Sequence, residues 1–90
     1  MPTLVKPRIT HLQEFSIRDL GFAAALSTSG WPMRLEGKEG VVHFVFQGIP
    51  EKFERMESDY WSGKLELSAR DAFQNLRLLK DRLYAAKGSR

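Results

Sequence analysis

Residues 68–84 constrain the fold most, because their apolar side chains keep helical spacing for four turns. On a helix these side chains form one broad stripe: Ala69, Ala72, Phe73, Leu76, Leu79 and Leu83. Ser68 and Asp71 have the form of a capping box, in which a side-chain oxygen accepts from first-turn amides and a carboxylate lies at the positive end of the dipole. The sequence therefore predicts a long helix that begins at Ser68, frays after Ala86 and packs its stripe against a partner surface.

The chain has 90 residues, of which 42% are hydrophobic, and this is enough for one small core. We expect a basic arm at residues 1–11, one α+β domain at 12–86 and a frayed tail at 87–90. Cysteine is absent, which excludes disulfides and thiolate chemistry and fits a reducing compartment. Neither a signal peptide nor an apolar run of membrane-spanning length is evident, so we expect a cytoplasmic protein without membrane contact.

The first half of the domain shows signals for a strand and a helix. Residues 12–15 are compatible with a short strand. Ser16 and Asp19 repeat the capping-box form, and apolar residues at helical spacing follow them, which predicts a helix of about three turns capped by Ser16. The small residues 21–25 indicate close packing, and Ser29 with Gly30 ends the helix.

A β-hairpin is predicted next. Residues 31–36 and 41–47 flank a turn at 37–40 that has glycine at both ends. In the second strand Phe44 and Phe46 share one face, which we expect to face the core. Val41 and Val45 lie on the other face, which is apolar enough to be covered by the arm, another strand or a second copy.

Pro50 then opens a middle helix that Gly63 ends, because proline suits the first helical position and glycine the C-terminal cap. Residues 64–67 form a short link or a third strand. The sequence thus predicts an α+β fold in the order helix, antiparallel hairpin, helix, short strand or link, and long C-terminal helix. The helices are expected to pack on one face of a small sheet.

Three motifs in this order resemble a family of small domains of unknown function from bacterial and phage genomes. They are F-S-x-x-D-L with A-A-x-L in residues 15–26, V-x-F-V-F in 42–46, and Y-W-x-G in 60–63 leading to A-x-x-x-F-x-x-L-x-x-L-K in 69–80. The family usually has an acidic residue where this chain has Ser68, which serves equally as a cap. The resemblance implies a bacterial, phage or mobile-element setting and no catalytic residue.

The residues themselves give little sign of catalysis. His11 and His43 are the only histidines, and neither has a second ligand at metal-binding spacing. No serine has an evident base partner, and no glycines form a phosphate-binding loop. We therefore predict a protein that is not an enzyme and that uses neither a metal nor a cofactor.

Positive charge is concentrated near the C-terminus, where residues 64–90 contain seven basic and three acidic side chains. On the last helix, cations and aromatic rings fall within about 80° of one another. This pattern suits phosphate neutralisation and base stacking. We predict an accessory domain that binds DNA or RNA through these residues: Arg70, Arg77, Lys80, Tyr84, Lys87, and Lys6 and Arg8 of the arm. In the alternative interpretation, Phe73 belongs to the core, and Lys80 and Lys87 cover apolar surface or complement the helix dipole.

A competing hypothesis is a protein-interaction module built on Trp31, Tyr60 and Trp61. Two tryptophans are difficult to bury fully in so small a domain, and partly exposed aromatics favour interfaces, although filling the core is the alternative role. The middle helix also carries an acidic group of side chains: Glu51, Glu54, Glu57 and Asp59. The partner would be a second copy, whose basic last helix meets this group, or a phage or host protein.

Overall fold

The computed structural model describes residues 12–88, which form a three-stranded antiparallel sheet and three helices. The elements in chain order are β1 (Gln13–Ile17), α1 (Leu20–Thr28), β2 (Met33–Lys38), β3 (Val41–Gly48), α2 (Pro50–Ser62) and α3 (Ala69–Gly88). The strand order is β1-β3-β2, so β3 is central. The predicted α+β class is confirmed, with the helices packed on the sheet. The predicted arm, with Lys6 and Arg8, lies outside the described residues.

The core lies between the sheet and the helices. Phe44 and Phe46 of β3 are fully buried on this side, as their alternation predicts. Phe15 of β1 is paired with Phe46 and stacks on Phe53 of α2, with ring centroids 4.0 Å apart and nearly parallel planes. The aromatic side chains of two strands and α2 therefore meet in one layer.

Helix α1 is buried on all sides over residues 22–26. It contacts α3, α2 and β1, so it needs apolar side chains all round rather than one stripe. Three consecutive alanines, residues 23–25, allow these neighbours to approach closely. The predicted close packing of this helix is confirmed.

The predicted start of α1 is wrong. Ser16 does not cap a helix but lies in β1, paired with Val45. The actual N-cap is Asp19, whose Oδ2 accepts a hydrogen bond from the Phe22 amide at 2.8 Å. The reason is that Phe15 and Ile17 match the core face of β3, so pairing keeps the chain extended through Ile17.

Several other boundaries agree with prediction. Helix α2 begins at Pro50, and Gly63 follows it in the left-handed region with φ 80°. Ser68 accepts from the Asp71 amide at 3.2 Å and caps α3. Residues 64–68 form the link, which is one of the two predicted alternatives, and the third strand of the sheet is β1.

The β2–β3 hairpin is tighter than predicted. Lys38 pairs with Val41, which leaves a two-residue turn of Glu39 and Gly40. Both have positive φ, 54° and 80°, as a type I′ turn requires. Trp31 precedes β2 instead of belonging to it.

An ion pair lies on the other face of the sheet. Arg34 of β2 donates two hydrogen bonds, at 2.9 and 3.1 Å, to the carboxylate of Glu14 on β1. Since β3 lies between these strands, the pair crosses it beside Val45, which is only 4% exposed. Arg34 and Glu14 therefore lie on the face for which we expected cover from the arm, another strand or a second copy.

Candidate nucleic-acid interface

Helix α3 has a buried side and an exposed side. Leu79 is buried, and Leu76 and Leu83 pack partly buried against the core. Phe73, predicted to belong to the apolar stripe, is 68% exposed, and Tyr84 is 60% exposed. The alternative interpretation of Phe73 as a core residue is thus wrong. The side of α3 that packs against the domain is narrower than the apolar stripe.

The predicted binding residues of α3 lie together on its exposed side. Phe73 lies among them, and we call the six residues together the basic face: Arg70, Phe73, Arg77, Lys80, Tyr84 and Lys87. At 3.6 residues per turn they fall within an arc of about 100°. All six side chains are exposed. The structure therefore places every described residue predicted to bind nucleic acid on one surface.

The cations of the basic face have no acidic partners within the described part of the chain. The ion pairs found in residues 12–88 join Arg34 to Glu14 and to Glu36, on the sheet. Asp71 and Asp81 share α3 with the basic face but form no ion pair with its cations. The positive charges of α3 therefore remain available to an external anion.

One part of the basic face forms a shallow depression. Arg70, Phe73, Gln74 and Arg77 line it, with a volume of about 420 Å³. These positions are spaced i, i+3, i+4 and i+7, so two guanidinium groups flank an aromatic ring and an amide on adjacent turns. Guanidinium groups bind phosphate oxygens in a forked geometry, and an aromatic ring can stack on a base.

The predicted aromatic cluster is divided between two places. Trp31 is half-buried; its ring lies over Gly48, and it meets Phe53 edge-on at 6.1 Å. Tyr60 and Trp61 instead contact Phe22 of α1, and no aromatic contact in residues 12–88 joins them to Trp31. Trp31 therefore fills the edge of the core, which is the alternative role that we considered.

Tyr60 and Trp61 differ in exposure. The Tyr60 ring packs on Phe22 at 5.1 Å, and its hydroxyl lies over Gly21, where a β-carbon would collide with it. Burial raises the pKa of the Tyr60 hydroxyl, and the nearby charge of Asp19 raises that pKa further. Trp61 meets Tyr60 edge-on at 4.8 Å and is 62% exposed. Only Trp61 presents a large free surface.

An apolar groove lies where the three helices meet, and the sequence did not predict it. Its volume is about 190 Å³, and its lining residues are Gly21, Ala24, Ala25, Tyr60, Leu67, Ala72, Phe73 and Leu76. Small residues on α1 and α3 create it, because they leave the space that larger side chains would fill. The short side chains of 21–25 were the only signal for it. Phe73 borders both this groove and the depression on the basic face.

The histidines do not form a recognisable site. His43 lies on the outer face of the sheet, opposite Glu36, and its buried Nδ1 has no hydrogen-bond partner in the described region. His11 lies outside that region. Within residues 12–88 no three His, Asp or Glu side chains converge in a way that could hold a metal ion.

Comparison with known proteins yields no relative: no protein-family model, no curated protein and no solved structure matches this chain. The resemblance to small bacterial and phage domains stays a prediction. In the described region, every helix is too short or too polar to cross a membrane. The surface of the domain is therefore the basis for a functional proposal.

Proposed function

We propose that this protein is a small, non-enzymatic accessory domain that binds nucleic acid through the basic face of α3. The observation that carries the proposal is a single exposed surface with four cations, none paired with a carboxylate of the described chain. A cytoplasmic location and a phage or mobile-element setting belong to the same proposal.

Electrostatic attraction to phosphate would provide most of the affinity. The four cations are Arg70, Arg77, Lys80 and Lys87, and each phosphate that they neutralise releases a counterion from the nucleic acid. Four such contacts give a log–log salt slope of about −2.8 for single strands and about −3.6 for duplex DNA. Binding should therefore weaken about 50- to 150-fold between 50 and 200 mM salt.

Fluorescence anisotropy with labelled DNA and RNA, measured across salt, tests this proposal. The R77Q/K80Q variant removes two cations from the basic face and should reduce both the affinity and the salt slope, the slope by about one per phosphate contact. The K52Q/R55Q variant is the matched control, because it removes the same charge from exposed positions on α2. The absence of any binding, binding that does not respond to salt, or equal losses in both variants would contradict the proposal.

The second candidate function is protein interaction, which the exposure of Trp61 favours. Its ring lies beside Tyr60, which lines the apolar groove, and tryptophan is enriched among residues that dominate binding energy. Glu51, Glu54 and Glu57 of α2 are exposed and could meet the basic face of a second copy.

The oligomeric state tests this second candidate. Sedimentation at several concentrations should show association that W61A removes and that L78A, a change at another exposed apolar residue, leaves intact. A monomer at every concentration that captures no partner in a pull-down would count against an interaction module.

A further inference from the structure

We propose that the basic face selects single-stranded nucleic acid, whose unpaired bases stack on Phe73 and Tyr84. This inference rests on the proposed function and specifies its ligand. Two aromatic rings, each about two-thirds exposed, lie among the cations of one helix face. Phosphate binding alone gives no reason for rings at these positions, because a ring neutralises no charge.

Cations and rings alternate along the face. Arg70 and Arg77 lie one turn before and one turn after Phe73, and Lys80 lies one turn before Tyr84. The two rings are about 16 Å apart along the axis, at 1.5 Å per residue. At the stacked spacing of about 3.4 Å per nucleotide this distance corresponds to about five nucleotides, and to fewer in an extended strand. A single strand laid along α3 can therefore place bases on both rings and phosphates on the cations between them.

Phe73 is the better-supported of the two platforms. It lies in the depression between Arg70 and Arg77, and it also borders the apolar groove that Tyr60 and Leu67 line. A base stacked on Phe73 would thus meet apolar surface on one side and guanidinium groups on the other. Gln74 is the one neutral hydrogen-bonding side chain lining the depression, so we expect little sequence preference.

Duplex DNA fits this surface less well. Its bases are already stacked on each other and present only their edges in the grooves, where hydrogen-bonding side chains read them. The face of an aromatic ring gains no stacking from a base edge. Arg70, Gln74 and Arg77 could read a major groove, but Phe73 and Tyr84 occupy the same face and would gain no stacking there.

Fluorescence anisotropy at low salt distinguishes binding to single strands, to duplex DNA and to phosphates alone. The four probes, each 12 nucleotides or base pairs long, are oligo-dT, oligo-U, a DNA duplex and an abasic DNA strand. The abasic strand has the phosphates of oligo-dT without its bases. We expect oligo-dT and oligo-U to bind more tightly than the abasic strand and the duplex. F73A and Y84A should each weaken oligo-dT binding about 5- to 150-fold while leaving abasic binding nearly unchanged. F73W should retain affinity, and L78A, a change at an exposed apolar residue of α3 outside the basic face, is the control.

The outcomes distinguish this inference from the function on which it rests. If the duplex or the abasic strand binds as tightly as oligo-dT and F73A has no effect, the basic face binds phosphate without stacking, and only the single-strand inference fails. If no probe binds, the proposed function fails with it. Circular dichroism of F73A and Y84A checks that these changes at exposed positions leave the fold intact.

Discussion

Asn75 of α3 donates a hydrogen bond from Nδ2 to the hydroxyl of Thr28, the last residue of α1, at 2.9 Å. The Thr28 hydroxyl in turn donates to the carbonyl oxygen of Ala24 at 2.7 Å. This two-step chain joins the C-terminal turn of α1 to the middle of α3. The bond between Asn75 and Thr28 therefore adds a polar link to the apolar contact between α1 and α3.

Replacing Asn75 by alanine should lower the free energy of unfolding by about 0.5–1.5 kcal/mol, the usual net value of one hydrogen bond. The loss stays small because the Thr28 hydroxyl keeps its bond to Ala24. Urea denaturation of N75A measures it, and Q74A, a change at the exposed neighbouring position, is the control. Equal stability of the two variants would show that the bond contributes nothing.

The two phenylalanines at positions 53 and 73 should respond very differently to truncation. Phe53 is buried and contacts the rings of Phe15, Phe22 and Trp31, so F53A should cost about 3–5 kcal/mol. F73A should change stability by less than about 0.5 kcal/mol, because the ring is mostly exposed. Chemical denaturation compares them, with F53L as a milder variant if F53A does not fold. A large loss in F73A would contradict its placement on the surface.

Gly48 is required by the ring of Trp31. A β-carbon at Gly48 would collide with Trp31 Cζ3, so G48A forces the indole to move and should cost about 1–3 kcal/mol. Gly37 has no atom within 4 Å of such a carbon, and G37A should be neutral or slightly stabilising. Denaturation gives the free energies, and a red shift in tryptophan emission reports exposure of the displaced ring. If G48A is as stable as G37A, the close approach is not restrictive.

The ion pair of Glu14 and Arg34 should make stability depend on acid pH. Hydrogen bonds and charge from Arg34 lower the pKa of the Glu14 carboxyl below its ordinary value of 4.5. Because the Glu14 pKa is lower in the folded protein, the ion pair stabilises the fold at pH values above the ordinary pKa. This stabilisation is lost as the pH falls through the folded-state pKa. The stability difference between the native protein and R34Q should therefore be present at neutral pH and vanish in acid.

NMR titration of the Glu14 carboxyl provides a direct reading of the same pair. Its pKa should return to the ordinary value in R34Q and stay lowered in R55Q. Arg34→Lys should restore only part of the shift, because lysine keeps the charge but not the two-pronged hydrogen bond. The pair is exposed to solvent, so added salt should weaken its effect. An unchanged Glu14 pKa in R34Q would exclude the pair in solution.

Local signals in the sequence were sufficient for much of this fold. Pro50 and Gly63 bound α2, and Ser68 caps α3, because each acts on backbone groups within a few residues of itself. The alternation in β3 identified Phe44 and Phe46 as core residues for the same reason. That the predicted cations of α3 share one side of the helix also follows from helical spacing alone.

Features that depend on distant partners were not predictable in this way. Ser16 looks like a helix cap, yet pairing with Val45 keeps it extended, and that partner is 29 residues away. Phe73 has core spacing but is exposed, because spacing does not reveal how wide a face the neighbouring helix covers. The same tertiary arrangement decides whether the cations of α3 have acidic partners. It also decides whether Trp31 shares a surface with Trp61.

The central position of β3 has a consequence for how the chain is synthesised. It is the last strand to leave the ribosome, and both other strands depend on it for their hydrogen bonds. Until β3 has emerged, β1 has no partner strand, and until α3 has emerged the apolar surface of α1 lacks its main contact. Synthesis is therefore the stage at which this small domain is most open to aggregation or to capture by a chaperone.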